Sequence, residues 1–129
     1  MIIGLGTDII EIERIKKAVD QKNFLNNVFT ETEKNYCESR GKNSAASFAA
    51  RFAAKEAFFK ALGTGIFTRL TDVEIVNDER GAPKIFLHGK AKTFSESKGV
   101  EKIFVSLSHS KDFATAVCII EQEGDTNAD

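Results

Sequence analysis

Apolar positions along the chain fall into two rhythms, and the switches between them mark the elements. Ile2, Ile3, Leu5, Ile9 and Ile10 cluster in the first ten residues, interrupted by Gly4 and Gly6. This predicts an N-terminal strand over Met1–Ile10 whose glycines permit tight packing or a bulge. From Glu11 to Val19 the spacing changes to three and four, with Ile12, Ile15 and Val19 on one stripe, which predicts a helix. Asp20–Phe29 reads as irregular or a short helix. Thr30 and Glu33 have the spacing of a capping box, so a helix should run from there to about Ser39. Arg40-Gly-Lys-Asn43 breaks it. Asn43 or Ser44 then caps a long helix to Leu62, with Gly63 at its C-terminal cap.

That long helix is apolar on more than one side, so it is expected to be central or to pack against a second subunit. After it, Val73–Asn77 and Lys84–His88 flank the turn Asp78–Gly81 and predict a hairpin, with Pro83 at a tolerated strand start. Gly89–Lys98 reads as a short amphipathic helix. Lys102–Ser108 alternates as a strand. Phe113–Glu121 is almost wholly apolar, as in a strand covered on both faces. Ser108-His109-Ser110-Lys111-Asp112 connects the two.

Composition narrows the class. At 129 residues the chain suits one domain, placed at 1–122, with 123–129 an acidic tail expected to be disordered. A formal net charge of −1 argues against a global nucleic-acid or membrane binder. Cys37 and Cys118 have no spacing that suggests a disulfide framework or zinc site and read as buried thiols. The N-terminus lacks a basic n-region, and no apolar run approaches the roughly 18 residues of a membrane span. A cytoplasmic protein is the expectation.

Polar residues then stand out against this apolar frame. Asp8 interrupts the first strand, where a carboxylate is solvated, hydrogen-bonded or holding a cation. Glu56 and Lys60 share one helix face, either as an i,i+4 ion pair or as part of a site. His109 sits in the last hairpin, as a turn residue or a ligand contact. Two carboxylates from separate elements suit a hard cation such as magnesium, which keeps waters and takes phosphate oxygens. Lys60 could meet those oxygens as a point charge. Both readings stay open on residues alone. Arg14, Lys16 and Lys17 form either a solvated basic face or a docking surface for an acidic partner.

Three stretches together carry a resemblance. They are Gly4-Leu-Gly-Thr-Asp8-Ile-Ile-Glu11, the run Arg51-Phe-Ala-Ala-Lys-Glu-Ala-Phe-Phe-Lys60-Ala-Leu-Gly-Thr-Gly65, and Ser106-Leu-Ser-His-Ser-Lys111. In order and spacing the chain resembles the holo-acyl-carrier-protein synthases, the small bacterial type of 4′-phosphopantetheinyl transferase. The resemblance implies transfer of the phosphopantetheine arm of coenzyme A to a serine of apo acyl carrier protein, in support of fatty acid biosynthesis. It implies Asp8 and Glu56 as magnesium ligands and catalytic groups, and Lys60 at the phosphates being split. It also implies His109 as a coenzyme A contact, Lys55 and Gly63 beside the ligand pocket, and Arg14 and Lys17 toward the carrier. The implied fold is α+β, a curved antiparallel sheet around the long helix, in a homotrimer with sites between subunits. Asp20 and Asn23 stand where relatives often carry arginine, so more of the carrier surface falls to Arg14, Lys16, Lys17 and Lys22. A magnesium-dependent phosphohydrolase and a trimeric binding module are the rival readings.

Overall fold

Alanine and phenylalanine make up most of the long helix, and this decides what packs around it. The computed structural model describes residues 1–124. The end of the expected disordered tail, 125–129, lies outside the described residues. Elements follow in the expected order: strand β1 (Ile2–Glu11), helices α1 (Ile12–Ala18), α2 (Lys22–Val28), α3 (Glu31–Glu38) and α4 (Ser44–Leu62). Then come β2 (Val73–Asn77), β3 (Pro83–Leu87), α5 (Gly89–Ser97), β4 (Lys102–His109) and β5 (Phe113–Glu121).

Local signals act where the sequence placed them. Thr30 Oγ1 accepts from Glu33 N at 3.2 Å while Glu33 Oε1 accepts from Thr30 N at 2.8 Å, completing the capping box of α3. Gly63 closes α4 in the left-handed region at φ 78°, with its N–H on the Lys60 carbonyl and that of Thr64 on Phe59. Asn43 occupies the N-cap of α4 without a side-chain capping bond.

The strands form two antiparallel sheets rather than one continuous sheet. One has the order β1-β5-β4, and the other is the β2-β3 hairpin. They meet where β3 lies against β4. Helix α4 packs on the inner face of β1 and β5, and twelve of its 19 residues are buried. Across that inner face Gly6, Cys118 and Val105 align, then Asp8, Ala116 and Leu107, then Ile10, Ala114 and His109.

Gly4 and Gly6 explain how β1 reaches the helix. A Cβ on Gly6 would collide with the Ala57 carbonyl oxygen, and one on Gly4 with that of Ala61. The strand backbone therefore lies directly on the helix backbone. A register shift between Ile2 and Gly4 adds the irregularity that a glycine-bearing strand suggested.

The outer face of the three-stranded sheet is uncovered in the single chain. Leu5, Ile9 and Phe104 are 61%, 62% and 52% exposed. Thr115, Val117 and Ile119 on β5 are half-buried, whereas Ala114, Ala116, Cys118 and Ile120 are buried. Thus β5, expected to be covered on both faces, is covered on one. Its apolar run reflects a second face that the chain by itself leaves open. Cys37 and Cys118 are free and buried, and burial pushes the Cys118 thiol up to about 12. Among the described residues no helix is long and apolar enough to cross a membrane.

Candidate active site

The glycine contact delivers a carboxylate to the helix. Side chains of a strand alternate faces, so Asp8 shares the inner face with Gly4 and Gly6. There it meets the last turns of α4. Lys60 Nζ donates to Asp8 Oδ1 at 3.0 Å and to the Thr7 carbonyl oxygen at 3.0 Å. Glu56 is one helical turn before Lys60, on the same face and half-buried. Burial raises the Glu56 carboxyl above its ordinary value, the Asp8 carboxylate raises it further, and Lys60 and Arg14 pull it down. Asp8, Glu56 and Lys60 thus form one electrostatic cluster, and Arg14 on α1 reaches into its field. The Glu56–Lys60 pair is not a plain surface ion pair, because the direct partner of Lys60 is Asp8 on another element. A groove of about 470 Å³ beside Asp8 and Lys60 continues over Thr7, Ile9, Ser106 and Ser108.

Lys55, expected beside the ligand pocket, does not join this cluster in the single chain. Its side chain is 0% exposed, as is that of its partner Glu33. Nζ donates to Glu33 Oε1 at 2.9 Å and to the carbonyl oxygens of Leu70 at 3.0 Å and Val73 at 2.6 Å. Consecutive helical residues are about 100° apart, so Lys55 turns inward where Glu56 faces the site. Burial lowers the Lys55 ammonium, and the Glu33 carboxylate works against that. Gly63 lies at the exposed end of α4, and Lys17 is exposed in the last turn of α1.

His109 lies apart from Asp8 in the single chain. It lines a groove of about 240 Å³ with Tyr36, Arg40, Arg51, Asn77 and Pro83. Arg51 is the residue that sequence reasoning missed. It is 3% exposed, donates to Ser47 Oγ at 3.2 Å and Asn77 Oδ1 at 3.0 Å, and stacks 4.3 Å from the Tyr36 ring centroid. Its Nε has no partner among the described residues. A buried guanidinium held by neutral groups favours an anion. The available signal was an arginine inside an otherwise apolar helical run, but Ser47 and Asn77 become its neighbours only in the fold.

The donor set limits what cation the Asp8 cluster fits. Among the described residues no group of three or more His, Cys, Asp or Glu side chains is placed to hold a metal ion. Two carboxylates without thiolate or imidazole suit a hard divalent cation that completes its shell with water and phosphate oxygens.

Comparison with known proteins converges on one family. The family model described as the 4′-phosphopantetheinyl transferase superfamily matches residues 4–118. A holo-[acyl-carrier-protein] synthase of Ruminiclostridium cellulolyticum is 49% identical over 120 residues, covering 90% of each chain. The crystal structure of the holo-[acyl-carrier-protein] synthase from Neisseria meningitidis is similar with a TM-score of 0.86 at 32% identity, over 95% of this chain and 100% of that one. That of Bacillus anthracis, in complex with CoA (3′,5′-ADP), is similar with a TM-score of 0.79 at 38% identity, over 95% of this chain and 99% of that one. The similarity takes in the first strand, the long helix and the last hairpin alike, and the chain belongs to the 4′-phosphopantetheinyl transferase superfamily, among its holo-[acyl-carrier-protein] synthases.

Proposed function

We propose that this chain transfers the 4′-phosphopantetheine arm of coenzyme A to a serine of apo acyl carrier protein, releasing adenosine 3′,5′-bisphosphate, in support of fatty acid biosynthesis. The observation that carries this reading is the Asp8–Lys60–Glu56 cluster, built across β1 and α4 in a chain of this family. Asp8 and Glu56 would hold magnesium. When bound, the ion neutralises the diphosphate and lowers the barrier to displacement at phosphorus. Lys60 shifts from Asp8 to the phosphate oxygens and balances charge that develops as the bond breaks. Glu56, with its raised carboxyl, or a water ordered beside it receives the serine hydroxyl proton. The hydroxyl oxygen attacks the β-phosphorus in line, and the bisphosphate leaves with the bridging oxygen.

The His109 groove supplies the second half of the site. Its Arg40, Arg51 and His109 suit the anionic nucleotide end of coenzyme A. We infer a homotrimer in which this groove on one subunit faces the Asp8 cluster of its neighbour. The uncovered apolar face at Leu5, Ile9 and Phe104 supports this, since an exposed apolar patch of this kind marks a protein–protein contact. The same packing would bend the sheets around α4 into the curved arrangement expected. Arg14 and Lys17 are exposed on α1, and Arg14 lies in the field of Glu56, which supports a role for this basic face toward an acidic carrier. Two free buried cysteines agree with a reducing, cytoplasmic setting.

One assay tests the reading. Protein, coenzyme A, magnesium and apo carrier are mixed, and the carrier is weighed by mass spectrometry. The expected outcome is gain of one phosphopantetheinyl arm, abolished by chelation. Bisphosphate released without carrier points instead to a phosphohydrolase, and an unchanged carrier with intact coenzyme A leaves a binding module.

A further inference from the structure

The buried Lys55–Glu33 pair lies outside the cluster, yet it is the most completely bonded polar group in the core. Lys55 Nζ has three donors and three acceptors: Glu33 Oε1, the Leu70 carbonyl and the Val73 carbonyl. Glu33 also accepts from Thr30 N through Oε1 and from Ile75 N through Oε2 at 2.8 Å each. One ion pair thus joins α3, α4, the Leu70–Asp72 turn and β2. Replacing such a pair by apolar groups is often neutral or stabilising, so its contribution to stability does not account for it.

The opposite side of α4 suggests what it does. There the glycines of β1 lie on the backbone at Ala57 and Ala61, and Ala54 and Ala50 continue that stripe. A glycine strand on an alanine stripe sets a short distance but offers no large side chains to interlock. On that side the contact fixes distance rather than rotation, while Phe48, Phe58 and Phe59, all buried, hold the rest of the helix by packing. Lys55 and Ala57 are about 200° apart around the helix, and Glu56 lies between them. A directional anchor at Lys55, next to Glu56 in the chain, adds hydrogen bonds of fixed direction to that packing.

We propose that Lys55 and Glu33 are positioning residues: their buried ion pair locks the roll of α4 and so aims Glu56 and Lys60 at Asp8. The lever is short and sensitive. At a side-chain radius of about 6 Å, a roll of about 10° moves the Glu56 carboxylate by about 1 Å. A misplacement of that size costs on the order of 100-fold in rate. The kinetic part of this inference rests on the proposed transfer reaction, whereas the structural part does not.

The test uses the double variant Lys55→Met/Glu33→Gln, which removes both charges and keeps an amide to meet Thr30 N and Ile75 N. Its thermal melt, transfer kinetics and crystal structure are measured beside the wild type. The expected result is a folded protein with kcat reduced on the order of 100-fold per folded molecule and KM for coenzyme A within about threefold. In its crystal structure α4 is rolled against β1, with Glu56 displaced from Asp8. Unchanged kcat, or an α4 that superposes on the wild type, overturns the proposal. If the double variant does not fold, Glu33→Asp decides: it keeps both charges and shortens the link by one methylene. A partial loss of kcat with the same displacement supports the lock, and wild-type turnover overturns it. A wild-type protein that loads no carrier sinks the proposed function instead and leaves the roll to the variant structures.

Discussion

Glu56 sits between one carboxylate and two cations, in a half-buried position that penalises its charge. A residue held against its own solvation is expected where function selects it. We therefore expect Glu56→Gln to lower transfer by about 100-fold or more, while its melting temperature stays at or above that of the wild type. Loss of both activity and stability would mark Glu56 as structural. Glu74 illustrates the opposite balance. Burial works to raise its carboxyl, but hydrogen bonds from the Thr30 hydroxyl and His88 outweigh it, so the folded value is lowered. A carboxyl lowered on folding stabilises above its unfolded value, near 4.3, and loses that contribution as pH falls through the folded value. Glu74→Gln should therefore cost on the order of 1 kcal/mol near neutrality. The gap between its melting curve and that of the wild type should close as pH falls from the unfolded value through the lower folded one. Residue types were informative at this scale: Asp8, Glu56, Lys60 and His109 all drew attention as charges or imidazoles in apolar surroundings. Lys55 drew the same attention and belongs to the core, because nothing in a linear pattern shows which face of a helix that is apolar all round is the buried one.

Elements are positioned by contacts too short for any side chain. Gly6 has no positive φ, so its role is space rather than conformational freedom. Gly6→Ala must push β1 away from the Ala57 carbonyl, and Asp8 moves with it. A loss of about 1–3 kcal/mol in stability is expected, read by chemical denaturation, with transfer falling further than stability alone explains. Retained stability with normal turnover would show that β1 has room the structure denies it. The helices and strands themselves were legible with boundaries close to those observed, because caps, glycines and changes of period are local. The glycine pair could be read only as close packing of some kind. Its partner, the backbone at Ala57 and Ala61, lies more than fifty residues away in sequence.

At the scale of the molecule, the chain carries two separate polar clusters. Asp8, Glu56 and Lys60 occupy one side, while Arg51 and His109 line a separate groove. If neighbouring subunits join them, two defective variants should complement each other. Glu56→Gln and His109→Ala, each weak alone, should regain a measurable fraction of wild-type transfer when mixed trimers form by co-expression. Ile9→Lys on the open sheet face should abolish that rescue together with assembly, as followed by sedimentation. Rescue that fails although mixed trimers form would place both halves of the site in one chain.

By itself, the sequence determined the order of elements, the capping box of α3, the glycine end of α4 and the short set of polar residues from which a site could be drawn. These follow from neighbours three or four apart, where hydrogen bonds and side-chain periods are local. Tertiary structure alone decided that Asp8 meets Lys60, that Lys55 turns to Glu33, that the buried Arg51 bonds to Ser47 and Asn77, and that β5 keeps one apolar face open. The first three depend on which side of α4 faces β1. That side is chosen by two glycines, an alanine stripe and a buried ion pair acting together across the chain.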